Sequence, residues 1–258
     1  MKRLTFIFLM FGFVAQAQQK VSWPNHKKAV IVLTYDDAIA SQLNVAIPQL
    51  DSAGLTGTFF LTATLNSQTI PLWQAVAAKG YELANHTMYH PCLSTAFKAN
   101  PVNYAENYSP FMMIREIASM NNLLFAVDGK VNRSYAYPCT ELSVGGVNYV
   151  DTLRKSGLIK YARIGGGPEA IITDFKHLDP LLVPSWGLPA NSTGAELIQY
   201  VKKVQASGGM GVFMFHGVGG DYITTPAVAH RQLLAYLKAH QDEIWVATFQ
   251  QAMDYITR

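Results

Sequence analysis

Two adjacent carboxylates, Asp36 and Asp37, close an apolar run that begins at Ala29. Like charges this close do not both ionise freely unless a cation or a proton lies between them. Further on, His86 and His90 are four positions apart. On one side of a helical turn that spacing points two imidazole nitrogens at one cation. Two histidines and one carboxylate with open positions hold a divalent metal for hydrolysis, or an iron for oxygen chemistry. The second carboxylate is then free to accept a proton from water whose pKa the metal lowers. His216, at the end of another apolar run, supplies the remaining role of general acid. A plainer reading of the paired acids is a helix N-cap at Asp37.

These residues need elements that bring them together. Ala29–Leu33 reads as a strand buried on both faces, and a helix over about 41–52 with a stop at Gly54 follows it. Strands are expected at 57–62, 81–84, 135–137, 160–163, 211–215 and 245–248, with a short apolar run at 181–183. Helices are expected at 73–79, 112–127, 147–155, 195–205 and 227–239, and at the C-terminus. Strands alternating with helices along the whole chain make a largely parallel sheet, open or closed into a barrel. In such folds the C-terminal strand ends share one face, and here four of them end on Asp36–Asp37, His86, Pro138–Cys139 and His216. Residues 92–109 have no clear period and read as a long functional loop, whose Tyr104, Tyr108 and nearby Phe111 either stack on sugar rings or fold the loop down. His26, His177, His230 and His240 read as surface or internally satisfied residues.

The chain resembles the polysaccharide deacetylases of the NodB-homology type, carbohydrate esterase family 4, over roughly residues 29–253. The resemblance rests on Thr34-Tyr35-Asp36-Asp37-Ala38 for the family's TFDDG segment, His86-Thr87-Met88-Tyr89-His90 for H-[ST]-x-x-H, and Met214-Phe215-His216 for LxH. It implies an α/β fold, a distorted (β/α) barrel of the NodB-homology type, and removal of N- or O-linked acetyl groups from a polysaccharide or oligosaccharide. By the same likeness Asp36 is the general base and His216 the general acid. Asp37, His86 and His90 hold a divalent metal, most plausibly Zn2+, with Co2+ or Ni2+ as substitutes. The backbone N–H of Cys139, at the last position of the RxPY segment, completes an oxyanion hole. Tyr137, Met214 and Trp186 fall on substrate-contacting positions.

Two positions depart from the family pattern. The RxPY arginine, which holds the base, falls on Ala136; Arg163, at the end of the next strand, is a candidate replacement by position. The acid that orients the catalytic histidine is absent beside Trp186, where Ser185 stands, and Asp174 or Asp179 are candidates for its role. The missing pair motivates a second reading, a carbohydrate-binding relative that keeps the metal without catalysis.

Composition bounds the rest. The chain has 258 residues, half of them hydrophobic, enough for one large core. Lys2 and Arg3, an apolar stretch from Leu4, and Ala15-Gln16-Ala17 form a secretory signal peptide over 1–17, followed by an arm over 18–28 and one catalytic domain over 29–258. Cleavage after Ala17 predicts a secreted or periplasmic protein with no membrane anchor. The remaining 18 basic and 17 acidic residues, a net charge of +1 with neutral histidines, argue against nucleic acid. An acetylated glycan is the expected partner, and the number of subunits is left open. Cys92 and Cys139 are either a disulfide between two strand-end loops or two buried thiols.

Overall fold

The computed structural model describes residues 21–96, 98 and 100–258; the expected signal peptide lies outside them. The strands are β1 (Ala29–Asp36), β2 (Thr58–Leu61), β3 (Glu82–Asn85), β4 (Ser134–Ala136), β5 (Ser143–Val144), β6 (Val147–Asn148), β7 (Tyr161–Ile164), β8 (Ile171–Ile172), β9 (Val183–Pro184), β10 (Trp186–Gly187), β11 (Met210–Phe215) and β12 (Ile244–Ala247). The helices are α1 (Ile47–Ala53), α2 (Ile70–Ala78), α3 (Pro110–Asp128), α4 (Val150–Ser156), α5 (Gly194–Ser207), α6 (Ala227–Ala239) and α7 (Phe249–Ile256).

The main sheet runs β10-β11-β1-β2-β3-β4-β7-β9 and is parallel along that path. The central strand β1 is flanked on one side by β11 and shares its other side between β12 at its start and β2 at its end. The two edge strands, β9 and β10, are consecutive in the chain with Ser185 between them. The sheet therefore nearly closes on itself as a distorted (β/α) barrel, with helices around it.

Successive side chains of a strand point to opposite faces, and burial on both faces requires two apolar sets. Val30, Val32, Phe60, Ala84, Ala136 and Val212 form the inward set. Ile31, Leu33, Tyr35, Phe59, Phe213 and Phe215 face outward against α1, α2, α5 and α6. The expected arm inserts Trp23 at the lower end, where its indole N–H donates to the Gly208 carbonyl at 3.0 Å and its ring meets Phe175, Trp245 and Tyr255.

The helix expected from about Ser41 is present and contains one wide π turn, Gln42–Ala46, ahead of α1, where Pro48 has no N–H to donate back into the turn. Two other local details differ from expectation. The expected helix over 147–155 begins only at Val150. Gly145 and Gly146, at φ 55° and 75°, form the two-residue turn of a hairpin that takes Val147 and Asn148 into β6. The loop over 92–109 carries two short 3-10 turns, and Glu106 ties it down by accepting from the Ser94 N–H and hydroxyl.

Candidate active site

The C-terminal ends of β1, β3, β4, β7 and β11 meet on one face. β1 stops because Asp37 (φ 84°) and Ala38 (φ 56°) adopt left-handed backbone, which turns the chain off the sheet directly after Asp36. The Asp37 N–H still donates to the Phe60 carbonyl at 3.0 Å, so both carboxylates are held at the rim of the barrel.

The expected helical turn at His86–His90 is absent. Thr87 and His90 are left-handed, at φ 67° and 51°. Side chains replace the helical bonds: Asn85 Oδ1 accepts from the Thr87 N–H at 2.8 Å, and Thr87 Oγ1 accepts from the His90 N–H at 3.0 Å. The tighter turn nevertheless brings the two Nε2 atoms to 3.1 Å. Asp37 Oδ1 lies 3.3 Å from His86 Nε2 and 3.4 Å from His90 Nε2. His86 Nδ1–H donates to the Ala136 carbonyl at 2.8 Å, which turns Nε2 toward Asp37. Burial opposes ionisation of Asp37, but its hydrogen bond to His86 and the charges of His86, His90 and His216 hold its carboxyl well below the usual range. Burial lowers His90 to about 4, with help from the like charge of His86. His86 moves the other way: the Asp37 hydrogen bond and the charges of Asp36 and Asp37 outweigh its burial.

The donor set fits a divalent cation. Ligand atoms ~2.0–2.2 Å from a tetrahedral centre stand roughly 3.3–3.6 Å apart, and these three are separated by 3.1, 3.3 and 3.4 Å. They are two neutral-capable imidazoles and a carboxylate, donors suited to zinc.

Asp36 is buried beside this cluster, its Oδ2 3.9 Å from His86 Nε2. Arg163 Nη2 donates to both of its carboxylate oxygens, at 2.6 and 2.5 Å. The guanidinium stacks over Phe60 at 4.9 Å and donates from Nη1 to Ser185 Oγ at 3.2 Å. Arg163 and Ala136 are register partners on adjacent strands. The arginine missing from the RxPY segment thus has a counterpart one strand to the side at the same level.

His216 Nε2 lies 3.8 Å from Asp37 Oδ2, and its buried Nδ1 has no hydrogen-bond partner among the described residues. Neither acid considered for it reaches it. Asp179 receives two bonds from Arg154, at 3.2 and 2.7 Å, and Asp174 pairs with His177 at 2.7 Å. Met214 lies on the inward face against Gly187. Trp186 packs outward against Tyr200 and Phe213, and Tyr137 against Tyr135 and Tyr149, so neither ring joins the cluster.

Cys139 is disulfide-bonded to Cys92, with Cα atoms 5.6 Å apart. The bond joins the loop that follows His90 to the loop that follows β4. Cys139 sits at φ 50°, and the loop's own bonds run from the Thr140 N–H to the Tyr137 carbonyl and from the Glu141 N–H to the Pro138 carbonyl. Of the loop aromatics, Tyr108 folds inward and donates to Glu116, while Phe111 stays exposed under Arg115. Exposed Tyr89, between the histidines, borders a crevice of about 330 Å³ that also touches Met88, Val102, Met112 and Glu116.

Two contributors carry no motif. Gln42 Nε2 donates to the Asp36 carbonyl and, at 3.3 Å, to the His216 carbonyl, tying two strand ends together. The Tyr222 hydroxyl donates to Asp37 Oδ2 at 2.7 Å. The only hint of Tyr222 in the sequence is the Gly219-Gly220-Asp221 turn shortly after His216, which sends the chain back over the site.

Comparison with known proteins agrees with this architecture. A family profile described as polysaccharide deacetylase matches residues 24–155, just over half of the chain. No curated protein matches the chain. Similar solved structures include a Mycobacterium smegmatis protein described as a polysaccharide deacetylase (19% identity, 92% of this chain and 93% of that one, TM-score 0.64). A peptidoglycan deacetylase from Bacillus subtilis is similar at 17% identity, over 89% of this chain and 91% of its own, with TM-score 0.57. A family 4 acetyl xylan esterase from Clostridium thermocellum, in complex with a cobalt ion, is similar at 18% identity, over 87% and 90%, with TM-score 0.53. At these identities the likeness is one of fold, and the profile match supplies the family. The chain belongs to the polysaccharide deacetylases, the NodB-homology enzymes of carbohydrate esterase family 4.

Proposed function

We propose that this deacetylase is a metal-dependent hydrolase in which Asp37, His86 and His90 hold one divalent ion, Zn2+ by the donor set, beside Asp36 as general base and His216 as general acid. The observation that carries the reading is the triangle of three ligand atoms 3.1–3.4 Å apart, next to a second carboxylate gripped by an arginine. When bound, the ion supplies Lewis acidity, polarising the acetyl carbonyl and lowering the pKa of attacking water. Asp36, kept in place by Arg163, takes the proton from that water as it attacks. The Cys139 N–H donates to the oxygen that gains charge on the former carbonyl. His216 Nε2 returns a proton to the departing amine or alkoxide, and acetate leaves.

The substrate is an acetylated glycan. Exposed Tyr89, between the ligand histidines, and exposed Phe111, at the start of α3, offer flat apolar faces for sugar rings. Arg163 fills the role of the absent RxPY arginine, which favours catalysis over a binding-only relative. The signal peptide over 1–17 and the arm over 18–28 complete the proposal of an exported single-domain enzyme. The Cys92–Cys139 bond supports an oxidising compartment, and among the described residues no helix is long and apolar enough to cross a membrane.

Acetate release from chitooligosaccharides, peptidoglycan and acetylated xylan, with and without a chelator, tests this. The expected result is release that the chelator abolishes and that Asp36→Asn loses while retaining metal. Release insensitive to chelator, or full turnover in Asp36→Asn, overturns it.

A further inference from the structure

We propose that Tyr222 is a positioning residue for the metal ligand Asp37, fixing which of its two oxygens faces the ion. The inference rests on the metal reading above and adds a residue that no motif marks.

The two oxygens of Asp37 have different neighbours. Oδ1 faces both histidine Nε2 atoms, at 3.3 and 3.4 Å, whereas Oδ2 accepts the Tyr222 hydroxyl at 2.7 Å. With Oδ2 engaged by the hydroxyl, Oδ1 is the oxygen left facing the two histidines, so the tether favours Asp37 as a one-oxygen ligand. Outer partners of this kind orient ligands and raise metal affinity. The Tyr222 ring is half exposed and lies 6.2 Å from the His216 ring, so the residue forms a wall of the site as well as a tether.

The loop that presents Tyr222 is built for that placement. Asp221 (φ 60°) and Ile223 (φ 44°), its immediate neighbours, both have left-handed backbone. For a β-branched residue that conformation is costly and persists only where the surroundings impose it. They do so through a closed set of bonds. The Gly217 N–H donates to the Tyr222 carbonyl at 3.2 Å, the Thr225 N–H to the Gly217 carbonyl at 2.8 Å, and the Gly219 N–H to the Thr225 carbonyl at 2.9 Å. Asp221 Oδ2 accepts the Ser41 N–H at 2.6 Å, anchoring the loop to the segment that follows Asp37. Gly217 permits the fold-back, since a Cβ there would come 2.1 Å from the Gly220 carbonyl oxygen. Such strain next to a hydroxyl aimed at a ligand carboxylate marks a functional loop.

Co2+ titration of the chelator-stripped protein, read by visible absorption and by competition with a chelator of known affinity, is the test. Tyr222→Phe keeps the ring and removes only the hydroxyl. Its affinity is expected to fall roughly 10- to 100-fold, with the thermal midpoint of the stripped protein unchanged. Ile223→Gly relaxes the loop, and a smaller loss of affinity is expected there. Wild-type affinity in both variants overturns the inference and leaves the metal reading intact. A wild type whose Co2+ uptake is the same in His90→Ala overturns the metal reading itself.

Discussion

Arg163 grips Asp36 through both carboxylate oxygens, at 2.6 and 2.5 Å, from β7, one strand away from Ala136 on β4, its register partner. The pair is almost wholly buried, so the ion pair is worth little net, but removing one member strands a charge.

Arg163→Gln is therefore expected to lower unfolding free energy by about 3–5 kcal/mol and turnover by roughly 100-fold, a typical weight for a positioned proton acceptor. Moving the guanidinium back, in Arg163→Ala with Ala136→Arg, is expected to recover a tenth or more of wild-type turnover. Kinetics with urea unfolding decide it, and a double variant no better than the single one refutes the equivalence of the two positions.

The Cys92–Cys139 bond closes a loop with a sequence separation of 47. Chain-entropy arithmetic for a loop of that size puts the stabilisation at about 4 kcal/mol. The paired Cys92→Ser, Cys139→Ser variant is expected to lose about that much and to turn over more slowly, since both the His90 loop and the Cys139 N–H lose their tether. Urea melts with and without reductant measure it; an unchanged midpoint under reductant speaks against any structural weight for the bond.

His230 is buried outside the barrel, with Nδ1–H donating to Gln49 Oε1 and Nε2 accepting from the Tyr35 hydroxyl, both at 2.7 Å. Burial alone pulls it down to about 3. The unfolded chain binds this proton below about 6.5 while the fold refuses it. Stability is full above pH 6.5 and falls as pH drops from there toward 3, by up to ~1.4 kcal/mol per pH unit. His230→Gln is expected to remove about one proton from the slope of unfolding free energy against pH between 6 and 4. An identical slope in the variant denies the linkage.

Phe111 is exposed at 69%, at the N-terminal end of α3 and next in the chain to Met112, which lines the crevice beside Tyr89. If it carries a sugar ring, Phe111→Ala costs about 1 kcal/mol on long acetylated glycans, near fivefold in KM, and nothing on a small acetyl ester. Equal losses on both substrates, or none on either, remove the platform.

Much of the site was legible because strand ends carry their chemistry at a fixed place. An apolar run stopping on Asp36-Asp37, and another on His216, needs no periodicity to be read. The helix over 227–239 matches α6 residue for residue, because its apolar positions recur at the helical spacing. Elements of two residues gave no such signal: β8 and β10 are too short to show alternation. The His86–His90 turn was misread because spacing does not reveal that Asn85 and Thr87 side chains substitute for helical bonds. Arg163 could be nominated by position, but its grip on Asp36 depends on a lateral register that linear order does not display. Tyr222 escaped because its role comes from a fold-back whose left-handed residues, Asp221 and Ile223, are not glycines.

Ser185 is the only residue between β9 and β10, the two margins of the main sheet. The polypeptide itself thus hoops the barrel where a hydrogen-bonded pair of strands is missing, and each margin is only two residues long. Exposed sheet margins are where proteins add strands from their neighbours and aggregate. At these two margins a foreign strand finds only two residues on each side to pair with, so the same near-closure that brings the strand ends together leaves little edge there for strand addition.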